Sequence, residues 1–183
     1  MPIYISMLRG INVGGHNQIK MTALRELFEA LGFEQVQTYI QSGNVVFKAG
    51  RISTLQVSKK VEDRITKAFG FRVPVVTRTS AKMGSVSENN PFLKKKDIDP
   101  TKLHVTFLSE APAPDALKKL EALPAGPDQF RSSGREIYLY CPNGYGNTKL
   151  SNNAIEKVLA VSATTRNWNT VNKLYEMSLE CGE

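Results

Sequence analysis

The order in which the hydrophobic period changes along residues 1–78 constrains this chain more than any other feature. Ile3 to Leu8 is a nearly continuous apolar run, the pattern of a mostly buried strand. Thr22 to Leu31 then places Leu24, Leu27, Phe28 and Leu31 at helical spacing, and Gly32 suits the left-handed residue that closes a helix. Val36 to Gln41 and Val45 to Phe47 read as strands around the tight turn Ser42-Gly43-Asn44. Ser53 caps a second helix with the stripe Val57, Val61, Ile65 and Phe69, ended by Gly70. Val73 to Thr77 is a short strand in which Pro74 argues for a sheet edge or a strand start.

The resulting order, β-α-β-β-α-β, is the ferredoxin-like pattern. Residues 79–101 interrupt it: Ser80 can cap a short helix, Asn89-Asn90-Pro91-Phe92 breaks it, and Lys94-Lys95-Lys96-Asp97 reads as a solvated linker. The pattern then recurs. Leu103 to Leu108 is a strand, followed by a proline-initiated helix with Ala116, Leu117, Leu120 and Leu123 on its apolar side. Asp128 to Arg131 and Arg135 to Tyr140 form a hairpin around Ser132-Ser133-Gly134. Ser151 or Asn152 caps a helix through Ile155, Val158 and Leu159, Val161 to Thr165 is a short strand, and Asn167 opens a last helix. The expected fold class is α+β: two ferredoxin-like subdomains, 1–78 and 102–183, joined by 79–101, with the C-terminal helix in the second. The repeat lies in element order, not in residue identity.

Charge follows the same division. The chain carries a net charge of +7. Residues 1–79 hold 11 Lys/Arg against 5 Asp/Glu, while residues 80–183 hold 13 against 12. The excess belongs to the first half and points to an anionic partner, a nucleic acid or a phosphorylated metabolite, or simply to a solvated basic surface. No apolar run approaches the roughly 20 residues of a membrane span, and the start lacks the basic region and cleavage site of a signal peptide. A cytoplasmic protein that makes no use of a membrane is expected. Cys141 and Cys181 form no CxxC and read as inert thiols. His16 and His104 fall in separate elements without metal-ligand spacing, so neither a metal nor a cofactor is expected.

The first strand empties into Arg9-Gly10-Ile11-Asn12-Val13-Gly14-Gly15-His16-Asn17, a loop suited to close backbone approach. A ferredoxin-like sheet has strand order 4-1-3-2, which sets the end of the first strand beside the start of the third. Arg9, Gly10, Asn12, Gly14, Gly15 and Lys20 should therefore share an edge with Ser42, Gly43 and Asn44. Unpaired N–H groups at glycine turns and at a helix start favour anions there. The alternative is that the glycines only permit tight turning and that Asn12 and Asn44 cap their own backbones. In the second half, Lys149 follows a Gly/Asn-rich loop, and Arg166-Asn167 stands at a strand-to-helix junction. There the helix dipole disfavours a cation unless a carboxylate or a ligand anion is near. These three residues complete the candidate ligand set.

Known signatures fail against these loops. The P-loop lysine-hydroxyl pair does not follow Gly14-Gly15, no G-x-G-x-x-G sits in a parallel unit, and no G-x-S-x-G elbow occurs. Leu8-Arg9-Gly10-Ile11-Asn12-Val13-Gly14-Gly15, Thr38-Tyr39-Ile40-Gln41-Ser42-Gly43-Asn44-Val45-Val46-Phe47, Thr148-Lys149-Leu150 and Ala163-Thr164-Thr165-Arg166-Asn167-Trp168-Asn169-Thr170-Val171 together resemble a bacterial family of unknown function, DUF1697. The resemblance runs over the whole chain. It implies two ferredoxin-like subdomains, in agreement with the periodicity, and no established activity. Two function classes stay open. One is a binding module for a phosphate-containing ligand or nucleic acid, with Tyr4 and Phe47 able to stack bases if their faces are exposed. The other is an enzyme acting on a phosphorylated small molecule, with Arg9, Lys149 and Arg166 as an anion clamp and no evident general base.

Overall fold

A computed structural model describes residues 1–183. Its first elements are β1 (Ile3–Leu8), α1 (Met21–Ala30), β2 (Glu34–Tyr39), β3 (Asn44–Lys48), α2 (Thr54–Phe69), β4 (Val75–Thr79) and α3 (Ser80–Glu88). The four strands form one antiparallel sheet in the order β2-β3-β1-β4, the expected ferredoxin-like topology. Helix α2 shows how the local sequence achieves this. Ser53 and Gln56 form a reciprocal capping box, Val57, Val61 and Ile65 are buried, and Gly70 ends the helix at φ 79°. Each buried aliphatic of that stripe contributes roughly 1.5–3 kcal/mol over an exposed one. Leu24 and Phe28 of α1 join the same core with Tyr4, Leu8, Val45 and Phe47 of the sheet.

Strand β2 departs from its expected span. It begins at Glu34, not Val36, and its pairing with β3 shifts register between Glu34 and Gln37. Gln35 takes φ 50° at this bulge, and Ile40 leaves the strand at the same φ. A bulge re-aims the strand by one residue, which period-2 reading does not anticipate.

The second set is β5 (Leu103–Leu108), α4 (Pro114–Glu121), β6 (Gln129–Ser133), β7 (Glu136–Tyr140), α5 (Asn152–Leu159), β8 (Ala163–Asn167) and α6 (Trp168–Glu180). Its sheet order, β6-β7-β5-β8, repeats the first. Leu108, Ile137, Leu139 and Ala163 of the sheet pack with Leu120 of α4 and Ile155 and Leu159 of α5. Strand β6 runs two residues past its expected end. Ser133 pairs with Glu136, so the turn between them is Gly134-Arg135.

The chain divides into two compact units, Met1–Ser85 with Lys173–Glu183, and Val86–Asn172. The last helix, expected wholly within the second half, thus returns its C-terminal portion to the first. Three contacts hold it there. Ser178 and Ser80 hydroxyls meet at 2.7 Å, the Cys181 thiol reaches the Gln35 side-chain oxygen at 3.7 Å, and Gly84 lies under the Tyr175 ring.

The repeat also extends to individual polar contacts. Glu62 of α2 accepts the Val75 N–H at 2.8 Å, and Glu156 of α5 accepts the Ala163 N–H at 2.9 Å. Ser6 and Thr77 hydroxyls pair at 2.8 Å, as do Thr106 and Thr165 at 2.7 Å. Arg78 and Arg166 each donate to the carbonyl of the preceding threonine at 3.0 Å.

Candidate functional site

The loop after β1 and the turn before β3 meet as the topology requires. The Leu8 N–H donates to the Gly43 carbonyl at 2.8 Å and the Arg9 N–H to the Pro74 carbonyl at 3.0 Å, so the strand end is held from both sides. Asn12, at φ 56°, is the hub of the loop. Its amide nitrogen donates to the Ile19 and Gln41 carbonyls, each at 2.9 Å, and its side-chain oxygen accepts the Ile19 N–H at 2.8 Å. Gly14 and Gly15, at φ 59° and 76°, form the tight turn that brings the His16 N–H to the Val13 carbonyl. Both central residues of a turn with two positive φ angles favour glycine.

Below this hairpin, Ile11 is buried as a plug against Gly43. Asn44 is buried too, its amide donating to the Tyr39 carbonyl at 3.0 Å and the Ser42 hydroxyl at 3.1 Å. Asn12 and Asn44 thus serve their own backbones, the alternative left open by the sequence. The surface that remains consists of Gly10, Val13, Gly14, Gly15, His16, Gln18, Lys20 and Gln41, with Arg9 and Ser42 half-buried. Val13 and His16 at the tip fall outside the sequence-based set; the Gly14-Gly15 turn between them is the signal that could have placed them there. Lys20 caps α1 without a side-chain hydrogen bond, and no acidic residue occupies the first turn.

The residues of the second half sit differently. Arg166 is buried, and its Nη1 donates to the Thr164 hydroxyl at 2.8 Å and the Thr165 carbonyl at 3.0 Å. Burial pushes its pKa down to about 10, opposed by the nearby Tyr145. The matching geometry of Arg78 makes this a feature of the fold. Asn167 caps α6 by accepting the Thr170 N–H at 2.8 Å. Lys149 is exposed on a loop whose Thr148 hydroxyl donates to Asp128 at 2.6 Å. On the same loop, the Tyr145 ring stacks on His104 at 4.9 Å, and burial lowers the His104 pKa below the ordinary value.

Asn167 pairs in register with His104 at the start of β5, and Tyr140 with Leu103. Arg166, Asn167 and the loop carrying Lys149 therefore occupy the end of their sheet where β7 and β8 finish. Arg9, Asn12 and Ser42 to Asn44 lie at the end of theirs where β3 and β4 begin. They are not counterparts in the repeat.

The aromatic platform is absent from the first sheet. Tyr4 and Phe47 stack on each other at 5.8 Å inside the core, and the Tyr4 hydroxyl donates to the Ile52 carbonyl at 2.7 Å. On the opposite face Ile5, Met7 and Val46 are buried as well. Base stacking on these rings is excluded by that packing.

Two βαββαβ units with matched sheet order define an α+β protein built on a doubled ferredoxin-like plan. The chain belongs to the family described as "Protein of unknown function (DUF1697)", which it matches over residues 1–138. The Ala163 to Val171 segment lies beyond the matched region. The chain is also similar to the solved structure of a conserved bacterial protein from Streptococcus pneumoniae, with 24% identity and a TM-score of 0.76 over 97% of this chain and 98% of that one. That likeness concerns the fold. No curated protein matches the chain.

Proposed function

We propose that the first unit is a binding module for a phosphate-containing ligand or a nucleic-acid backbone, held at the edge formed by residues 9–20 and 41–44. One observation carries this reading: the segments that build the edge hold no carboxylate. Neither residues 1–25 nor residues 35–61 contain an Asp or Glu, whereas Arg9, Lys20 and Arg25 lie in the first stretch. An anion arriving at the edge meets Lys20, the start of α1 and exposed glycine backbone with no competing internal anion. Asn12 fixes the loop in advance, so little ordering entropy is lost on binding. Arg9, Gly10, Gly14, Gly15 and Lys20 would contact the ligand, and Ser42, Gly43 and Asn44 would shape the wall. Recognition runs through phosphate groups, since the aromatic rings are in the core.

Titration of ¹⁵N-labelled protein with pyrophosphate and with labelled single- and double-stranded oligonucleotides over a salt series tests it. Shifts of the Gly10, Gly14 and Gly15 amides, lost in Lys20→Glu, are the expected result. Oligonucleotide affinity should fall steeply with salt through counterion release. Shifts with a phosphorylated small molecule alone would move the reading to a small-molecule or enzyme site. Shifts with neither would end it.

A further inference from the structure

The second unit carries a separate charged feature that this anion-binding reading does not use. The run Lys94-Lys95-Lys96-Asp97 is exposed, as a solvated linker would be, and Lys95 within it is tied down. Asn90 caps a short 3-10 turn, Pro91–Lys94, that buries Phe92 against Tyr140 with ring centroids 6.0 Å apart. Two cations converge on the Phe92 ring: Lys95 Nζ lies 5.3 Å from its centroid and the Arg131 guanidinium 5.6 Å. Lys95 also donates to the Gln129 side-chain oxygen at 3.1 Å, and Arg131 to the Phe130 carbonyl at 2.8 Å. Neither cation meets a carboxylate in those contacts. Cation–π attraction holds two like charges beside one ring, where each raises the electrostatic cost of the other.

This pair borders β6, an outer strand of its sheet. Ser133 and Glu136 flank a two-residue turn and form a hydrogen-bonded pair, and such pairs alternate along an antiparallel ladder. Arg131 and Gln129 therefore bond inward to β7, while the backbone groups of Phe130 and Ser132 face outward. A groove of about 570 Å³ lies along β6, and its lining combines Leu123, Ala125 and Phe130 with Glu121 and with Arg131 itself. Its carboxylates are Asp128, which accepts from Thr148, and the exposed Glu121.

We propose that β6 is a docking edge for an extended peptide whose residues alternate acidic and apolar. An added strand would bond to the outward groups of Phe130 and Ser132. Because side chains alternate across a strand, one set would face the Lys95 and Arg131 cations and the other the apolar Leu123, Ala125 and Phe130 of the groove. The apolar set of the peptide, and not its acidic set, would lie beside Glu121. The Arg131 guanidinium now covers the Phe130 carbonyl, which shields the edge in the free protein. An incoming carboxylate draws the guanidinium away and opens that carbonyl to the peptide N–H.

Fluorescence anisotropy with a labelled Glu-Val-Glu-Val-Glu-Val peptide tests this. Controls are the block peptide Glu-Glu-Glu-Val-Val-Val and a single-stranded oligonucleotide. The alternating peptide should bind in preference to both. Arg131→Glu should weaken it by about tenfold, the scale of one charge reversal at an interface rim. Ser132→Pro removes an outward N–H, which an edge strand tolerates, and should abolish binding while circular dichroism stays native. Absence of binding by the alternating peptide overturns the proposal. Equal binding of the block peptide or the oligonucleotide also overturns it, as does full binding by a folded Ser132→Pro protein.

Discussion

Gly43 shows how much of the candidate edge rests on a single missing methyl group. It takes φ 86°, and a Cβ there would lie 2.6 Å from Ile11 Cδ1 and 3.0 Å from Leu8 Cβ. Backbone strain and overpacking add, so Gly43→Ala should destabilise the protein by about 3 kcal/mol. A urea melt measures this; a change below about 1 kcal/mol would mean that Ile11 swings aside freely. His104 offers a titration at the same scale. Burial holds its pKa below 6.5 in the folded state, so between these values the unfolded chain takes up a proton that the folded chain refuses. Stability present above 6.5 is therefore lost as the pH falls through the folded pKa. Melting temperatures compared at about pH 7 and pH 5 should fall less in His104→Gln than in the parent. An equal drop in both proteins would remove His104 from the acid response.

Among the elements, the strand–helix pairs carry the repeat, and they show what could be read in advance. Sheet order followed from hydrophobic period alone, because a βαββαβ chain has few unknotted, right-handed ways to close. The bulge in β2 did not. Nothing in Phe33-Glu34-Gln35-Val36 marks Gln35 for positive φ, and the Cys181 thiol beside it comes from the far end of the chain. For Arg166 the helix dipole points to a carboxylate or a ligand anion as partner, whereas the structure shows its guanidinium donating to the Thr164 hydroxyl and the Thr165 carbonyl of its own strand. A signal existed in the parallel Thr77-Arg78 and Thr165-Arg166, each just before a helix. The glycines and asparagines of the edge were legible as turn chemistry, but their sequence could not separate turning from binding. The matched carboxylates give an element-level test. Glu62→Ala should cost about 1–2 kcal/mol by leaving the Val75 N–H unpaired, and Glu62→Gln clearly less because an acceptor oxygen remains. The same ranking is expected for Glu156 at the Ala163 N–H. A Gln variant as unstable as Ala at both sites would mean that charge, not the hydrogen bond, is what the fold uses.

At the scale of the whole molecule, the unusual feature is that the first unit is discontinuous in sequence. It takes residues 1–85 and then the last eleven, Lys173–Glu183. Within it Leu174, Met177 and Cys181 are buried, the Ser178 hydroxyl meets Ser80, and a Cβ on Gly84 would approach the Tyr175 ring to 2.9 Å. A Cβ on Gly182 would similarly come within 3.2 Å of Ile3 at the start of β1. These are long-range contacts, so the chain end can make them only after the rest of the polypeptide is synthesised. A protein ending at Asn172 should then lose protection chiefly where those residues pack. Amide hydrogen exchange should speed up most in β1–β4 and α3, while β5–β8 keep more of their protection despite the shortened α6. Faster exchange in β5–β8 than in β1–β4 would show that the C-terminal residues serve the second unit, as the order of elements alone suggests.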